Sequence, residues 1–333
     1  SVMGSSLADS TVSPGTVYTY AIAPCDRHAN CGPAANITVQ TPAAGLAESR
    51  RIGVKGDGAY WGAAGENIDV FSGNLNYSIP LLTAKGRAGL QLSLGLAYNS
   101  QNWRGDGTKV WKTGVDVGYG YGWTLNPGSI RAAYFGHWNV HHYSFVDGSG
   151  AEYRLDINNG GIWTSSEAFY GKWDPVTRRL IWPDGTVWYY HCTALGGEPD
   201  QGTYYPTLIE DRNGNQIRLE YQGTWGAGMP NSSARIAVIA DLRTAPAFNK
   251  SFEFQYTTGQ LPRLTKIKNY VQTGEEYSFT YAHDQPLYTP MSPVEQRGAT
   301  SLLTEVKVDK TGARWLFEYG SNQAAELARV TLP

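Results

Sequence analysis

Two fourteen-residue stretches decide how this chain is read: LIEDRNGNQIRLEY, residues 208–221, and VKVDKTGARWLFEY, residues 306–319. Each has an apolar residue three before an aspartate: Leu208 before Asp211, and Val306 before Asp309. Each has a glycine three after that aspartate (Gly214, Gly312) and a tyrosine ten after it (Tyr221, Tyr319). The glycine supplies a turn residue that tolerates positive φ, and the residues beyond it alternate apolar and polar. That is the pattern of a β-hairpin arm. A unit that recurs builds a large β-surface, so the pattern speaks of architecture before chemistry.

The rest of the second half reads the same way. FVDGSGAEYRL carries Asp147-Gly148 and LIWPDGTVWYY carries Asp184-Gly185, both between alternating apolar residues. Asp-Gly in that setting predicts a hairpin. Three segments carry aromatics at period two: Phe252, Phe254 and Tyr256; Tyr277, Phe279 and Tyr281; Trp315, Phe317 and Tyr319. Period two puts each triplet on one face of a sheet. The 333 residues include 39 Gly, 22 Tyr and 11 Trp, and only 17% are charged. That mix suits short strands, tight turns and aromatic packing, so the expected fold class is all-β. The formal net charge is −2 and no Lys/Arg block stands out, which argues against nucleic acid and anionic membranes as partners. No apolar run approaches the roughly 20 residues of a membrane span.

Residues 1–42 contain a turn at Pro14-Gly15 and a Tyr-rich strand with Tyr18 and Tyr20. A loop through Ala29, Asn30 and Cys31 follows, then a closing strand that ends at Thr41-Pro42. The stretch resembles the last part of a fibronectin type III domain. Such a sandwich needs about seven strands, and only about three fit here, so the chain is expected to begin inside a domain. Residues 43–66 are rich in Ala and Gly and read as a linker or clamp. From residue 67 onward four motifs occur in order: Gly73-Asn74-Leu75, Gly86-Arg87, Tyr98-Asn99-Ser100 and Gly120-Tyr121-Gly122-Trp123. Their succession resembles the opening of the YD-repeat (Rhs-type) shell, whose relatives include toxin-encapsulating shells and the animal teneurins. The family usually has Gly-Arg after the turn. Here Asn215 and Ala313 follow the glycines, so these are degenerate repeats.

The resemblance implies a spiral β-sheet over 67–333, wall of a secreted or surface protein of bacterial type. Its partners would be the remainder of the same long polypeptide and an enclosed cargo such as a C-terminal toxin. It also implies no catalysis from this segment, because the self-cleaving aspartates of the family lie in a later region. LARVTLP at 327–333 offers no terminating feature, so both ends read as cut. Two alternatives remain: a carbohydrate-binding or adhesive module, and a filament subunit that self-associates through an open sheet edge.

Candidates for chemistry are few. Cys25 and Cys31 bracket the loop DRHAN and are expected to form a disulfide, which implies an oxidising compartment; the alternative is two free thiols. Cys192 reads as a buried apolar residue. His137, His141 and His142 have zinc-like spacing for a helix. Their neighbours favour strand, however, where four residues span about 13 Å and His141 and His142 point to opposite faces. No metal is therefore expected. Asp211, Asn213 and Asn215 alternate oxygen donors as a calcium loop does, but the twelfth position is Gln222, and a capped turn is the expectation. Glu210-Asp211 and Glu275-Glu276 read as solvated. The glycines around 118–122 lack the following helix of a phosphate loop. No cofactor is expected. Trp103, Trp111, Trp138, Trp163 and Trp173 would stack on sugars if exposed and pack between sheets if not; packing is expected. Sequons at Asn36, Asn76, Asn231 and Asn249 matter only in a glycosylating host.

Overall fold

The computed structural model describes residues 17–25, 30–40, 59–61, 66–69, 74–105, 109–125, 127–135, 139–167, 169–224, 228–244, 247–271, 274–291 and 294–333. Pro14, Gly15, Ala29, Thr41, Pro42, Gly73, His137 and Trp138 lie outside them, as does all of 43–58. The chain divides into two compact units, 1–50 and 51–333.

In the first unit, Val17–Ile22 pairs antiparallel with Ala35–Gln40, in register from Val17–Gln40 to Ile22–Ala35. Tyr18 and Tyr20 lie two apart on one face and stack at 6.4 Å. Beyond the paired ends, Cys25 and Cys31 face each other as an isolated antiparallel bridge and are joined by a disulfide.

The second unit is all-β. Its largest sheet has fourteen antiparallel strands, from Ile157–Asn159 at one edge to Leu327–Thr331 at the other. Neighbours in that sheet are neighbours in the chain, with one interruption. After Val187–Tyr189 the chain leaves, adds Cys192–Thr193 and Tyr204–Tyr205 to a second sheet, and returns at Leu208–Glu210. That second sheet has five strands and contains Gly128–Phe135, Asn139–Asp147 and Glu152–Leu155. A third, also five-stranded, is built from Ala59–Trp61, Glu66–Asp69, Leu75–Lys85, Gln91–Asn99 and Trp123–Thr124. Its first strand thus falls within residues 43–66.

The third sheet shows why these residues make strands. In Leu75–Lys85, Tyr77, Ile79 and Leu82 are buried while Ser78 and Pro80 are exposed. The register slips between Pro80 and Leu82, so Leu81 is an extra residue opposite Gly95 and Leu94. A proline has no amide to give the ladder and fits at such a bulge. The buried face of this sheet packs on the large one. Ile79, Leu94, Leu96 and Trp123 share a core with Ile217, Ile239, Phe254, Ile267, Phe279 and Phe317. Each fully buried side chain of this size stabilises the fold by about 1.5–3 kcal/mol. The aromatic triplets supply much of that core, and the Trp123 and Phe317 rings lie 4.8 Å apart. A second core joins Ile130, Tyr143, Phe145 and Leu155 to Trp163, Trp173 and Leu180 at the start of the large sheet.

The hairpin at FVDGSGAEYRL forms, but its left-handed residue is Gly150 (φ 87°), not Gly148. The loop closes between Asp147 and Ala151, leaving three residues, and the third of these must take positive φ.

Candidate functional site: a glycine–aromatic plug between the sheets

The segment Asp116-Val-Gly-Tyr-Gly-Tyr-Gly-Trp123 runs between the third sheet and the large sheet. Its three glycines are left-handed, at φ 118°, 97° and 81°, and its rings point into the core. Tyr119, Tyr121 and Trp123 are all essentially inaccessible. The glycines are required by close approach as well as by φ. A Cβ on Gly120 would lie 3.0 Å from the Leu303 amide nitrogen, and one on Gly122 would lie 2.6 Å from Asn102 Nδ2.

Hydrogen bonds tie the plug to both sides. The Leu264 amide donates to the Gly118 carbonyl at 2.9 Å, and the Tyr121 amide donates to the Ser301 carbonyl at 3.0 Å. On the other side the Asn99 amide donates to the Gly122 carbonyl at 3.2 Å. Tyr119 Oη donates to the Ala234 carbonyl and accepts from the Ile236 amide, both at 3.2 Å. Trp123 Nε1 donates to Tyr319 Oη at 2.9 Å, which in turn donates to the Leu303 carbonyl at 2.8 Å. Burial pushes the Tyr119 phenol up to about 12, so it stays protonated and can donate.

Two ion pairs flank the plug. Asp116 Oδ1 accepts from the Gly118 and Gly120 amides at 3.0 and 3.1 Å, while Oδ2 faces Arg263 Nη2 at 2.8 Å. Burial pushes the Asp116 carboxyl up, although Arg263 and the amides pull it down. Arg235 holds Glu198 in a two-pronged contact at 2.7 and 2.9 Å and donates to the Gly223 carbonyl at 3.2 Å. Both side chains are wholly buried. Beside them Tyr205 Oη donates to Asp200, whose carboxyl is also raised by burial. These charges hold loops and strands together; pairs so deep are strongly destabilising to break.

The two repeat copies share spacing but not loop geometry. Asp211 is a turn cap: Oδ1 accepts from the Asn213 and Asn215 amides at 2.8 and 2.9 Å, and Asn215 Nδ2 donates to Oδ2 at 2.7 Å. Three residues then lie between Asp211 and Asn215, ending at Gly214 (φ 77°). The second loop closes between Val308 and Ala313, one residue longer. There Thr311 Oγ1 accepts from the Ala313 amide, and Asp309 turns instead to Ser278 and Lys266. The longer loop carries the carboxylate away from its own amides. Tyr221 and Tyr319 both join the core and reach back to carbonyls, those of Pro206 and Leu303.

His141 and His142 do not point to opposite faces. Their Nδ1 atoms meet at 2.8 Å. Ala133 pairs with His142 and Tyr134 with Val140, which leaves His141 as the extra residue of a bulge. The bulge turns its ring back toward its neighbour. Among the described residues no cluster of three or more His, Cys, Asp or Glu is placed to hold a metal ion. Cys192 is buried, donates to the Ser233 carbonyl, and its thiol is pushed up by burial. Trp103, Trp163 and Trp173 are buried, whereas Trp111 is 42% exposed. Of the sequons, Asn36 and Asn249 are exposed, while Asn76 is buried and accepts from Asn99 Nδ2. No helix among the described residues is long and apolar enough to cross a membrane.

No protein-family model matches the chain, and no curated protein matches it. Solved structures do resemble it. The chain is similar to a crystal structure of TcdB2-TccC3-Cdc42 at 12% identity and a TM-score of 0.38, over 76% of this chain and 15% of that one. It is similar to a crystal structure of TcdB2-TccC3-TEV at 13% identity and a TM-score of 0.40, over 86% of this chain and 16% of that one. It is also similar to the N-terminal domain of the effector protein SpvB from Salmonella typhimurium strain LT2. That match has 11% identity and a TM-score of 0.35, over 76% of this chain and 97% of that one. Against the two TcdB2-TccC3 chains it spans only a small fraction of their length.

Proposed function

We propose that this chain is a wall segment of a YD-repeat (Rhs-type) β-shell, a non-catalytic structural part of a longer secreted or surface polypeptide of bacterial type. The observation that carries this reading is the fourteen-stranded antiparallel sheet, laid down almost entirely in chain order, with its aromatic face covered by a smaller sheet. Such a sheet extends by adding hairpins, as a wall must, and leaves only its two outer strands unpaired. The motif residues that carry the resemblance support the same reading, because several converge on one seam. Tyr98 and Trp123 pack at 5.3 Å, Asn99 pairs with the plug, and Gly120 and Gly122 make the plug's close approaches. The partners are the rest of the same polypeptide and a cargo, such as a C-terminal toxin, held behind the wall. The Cys25–Cys31 disulfide supports a secreted location.

The test is protease protection. The native polypeptide that contains this chain is treated with a broad-specificity protease, with and without prior denaturation. A wall predicts a cargo that survives until the sheet is unfolded. Digestion of the cargo at the same rate in the native and denatured samples would refute enclosure.

A further inference from the structure

The strands Gln296–Val308 and Arg314–Tyr319 pair only through Glu305–Leu316, Val306–Trp315 and Lys307–Arg314. Beyond Glu305 they part. A cleft of about 260 Å³ opens there, and its walls include Gln285, Thr300, Leu302, Phe317, Tyr319 and Gln323. None of its lining residues carries a charge at neutral pH. Gln285 spends its Nε2 on the His283 carbonyl and keeps its Oε1 as an acceptor. The Gln323 side chain is exposed, and its amide has no protein partner among the described residues.

The backbone around the cleft is unusual. Seven non-glycine residues among the described ones have positive φ, and three of them flank this cleft: Asp284 at 53°, Gln323 at 56° and Ala325 at 59°. Such conformations cost free energy and persist only where the surroundings over-determine them, which is common at ligand clamps. Here the surroundings do so. The Gln323 carbonyl accepts from the Tyr288 amide at 2.9 Å, the Ala324 carbonyl from Trp103 Nε1 at 2.8 Å, and the Ala325 carbonyl from Tyr98 Oη at 2.9 Å. Two of these donors belong to strands some two hundred residues away, so the loop is held in a fixed, strained shape.

We propose that this cleft binds a neutral pyranose ring. A pocket that combines an apolar wall with a few convergent polar groups is the usual form of a small-ligand site. Side-chain amides and a hydroxyl match the hydroxyls of a sugar, and the apolar lining from Pro286, Leu302, Phe317 and Tyr319 supplies a wall for its C–H face. An ionic ligand would lose its hydration and find no counter-charge. The volume lies just below the roughly 300–1,000 Å³ of drug-sized sites, which suits one ring with any further sugars projecting outward. The inference stands apart from the wall reading, since it rests on the strand splay and the loop alone.

Saturation-transfer NMR on the 333-residue chain tests it, with the methyl glycosides of glucose, galactose, mannose and N-acetylglucosamine as probes and glucose 6-phosphate as the charged comparison. At least one neutral glycoside should bind saturably. Gln323→Gly removes the amide at a position where glycine is unstrained, so it should weaken that binding about fivefold or more while leaving the melting temperature equal or higher. Thr300→Phe, which fills the cleft, should abolish it. No saturable binding by any of the four would overturn the proposal. So would binding that neither substitution changes, or a preference for the phosphorylated sugar.

Discussion

Gly120 shows what a single position contributes to this molecule. Its φ of 97° lies where an L side chain is strained, and its Cα faces the Leu303 amide too closely for a methyl group. Gly120→Ala should therefore destabilise the fold by about 2–4 kcal/mol in urea or guanidinium unfolding, combining backbone strain with overpacking. A loss under about 0.5 kcal/mol would mean that the plug is not held as described. Arg235 is the polar counterpart. Arg235→Met leaves Glu198 buried and uncompensated and should cost about 3–5 kcal/mol, whereas the double change that also makes Glu198→Leu should recover most of it. The carboxyls pull in two directions with pH. Thr177 Oγ1 and nearby amides hold the half-buried Asp174 below the usual carboxylate range. Its stabilising effect is present above that range and is lost as pH falls through the lowered value. Burial raises Asp116 and Asp200, so the fold gains from their protonated forms below the usual range, and that gain is lost as pH rises through the raised values. Asp174→Asn should lose less stability than the parent between about pH 6 and pH 3, as read by thermal melts across pH. An unchanged acid slope would show that this turn is not part of the acid response.

At the scale of elements, a hairpin is specified by its loop and a strand by its alternation. Gly150, Gly185 and Gly214 are each the third residue of a three-residue loop, at φ 87°, 87° and 77°. Gly214→Ala should cost about 1–2 kcal/mol and lower protection of the Leu208–Glu210 and Gln216–Tyr221 amides in hydrogen exchange before it affects the plug. This level was largely legible in the sequence. Turn signals and period-two aromatics gave the hairpins of the large sheet and the face on which Phe252, Phe254, Phe279 and Phe317 are buried. What alternation could not give is the effect of a one-residue slip. A bulge brings His141 to His142, and one added loop residue takes Asp309 out of the role that Asp211 plays. Both depend on how partner strands register, which is a non-local property. The plug was legible in part. Glycines interleaved with aromatics behind an aspartate are a visible signal. Their meaning depends on Leu264, Ser301 and Tyr319, far away in the chain.

At the scale of the second unit, a sheet grows by hairpins and carries a smaller sheet on its aromatic face. The plug couples the two layers, so they should unfold together: Gly120→Ala should lower the melting of both, rather than release one alone. A sheet of this order can belong to a solid sandwich or to a wall around a space, and the proposed function requires the wall. A cryo-electron microscopy map of the native polypeptide that contains this chain separates the two most directly. If the sheet is a wall, the map shows further antiparallel strands beside Leu327–Thr331 in the same sheet, curving round an enclosed volume with cargo density inside. A map in which the sheet stops at that strand and encloses no volume would contradict the wall.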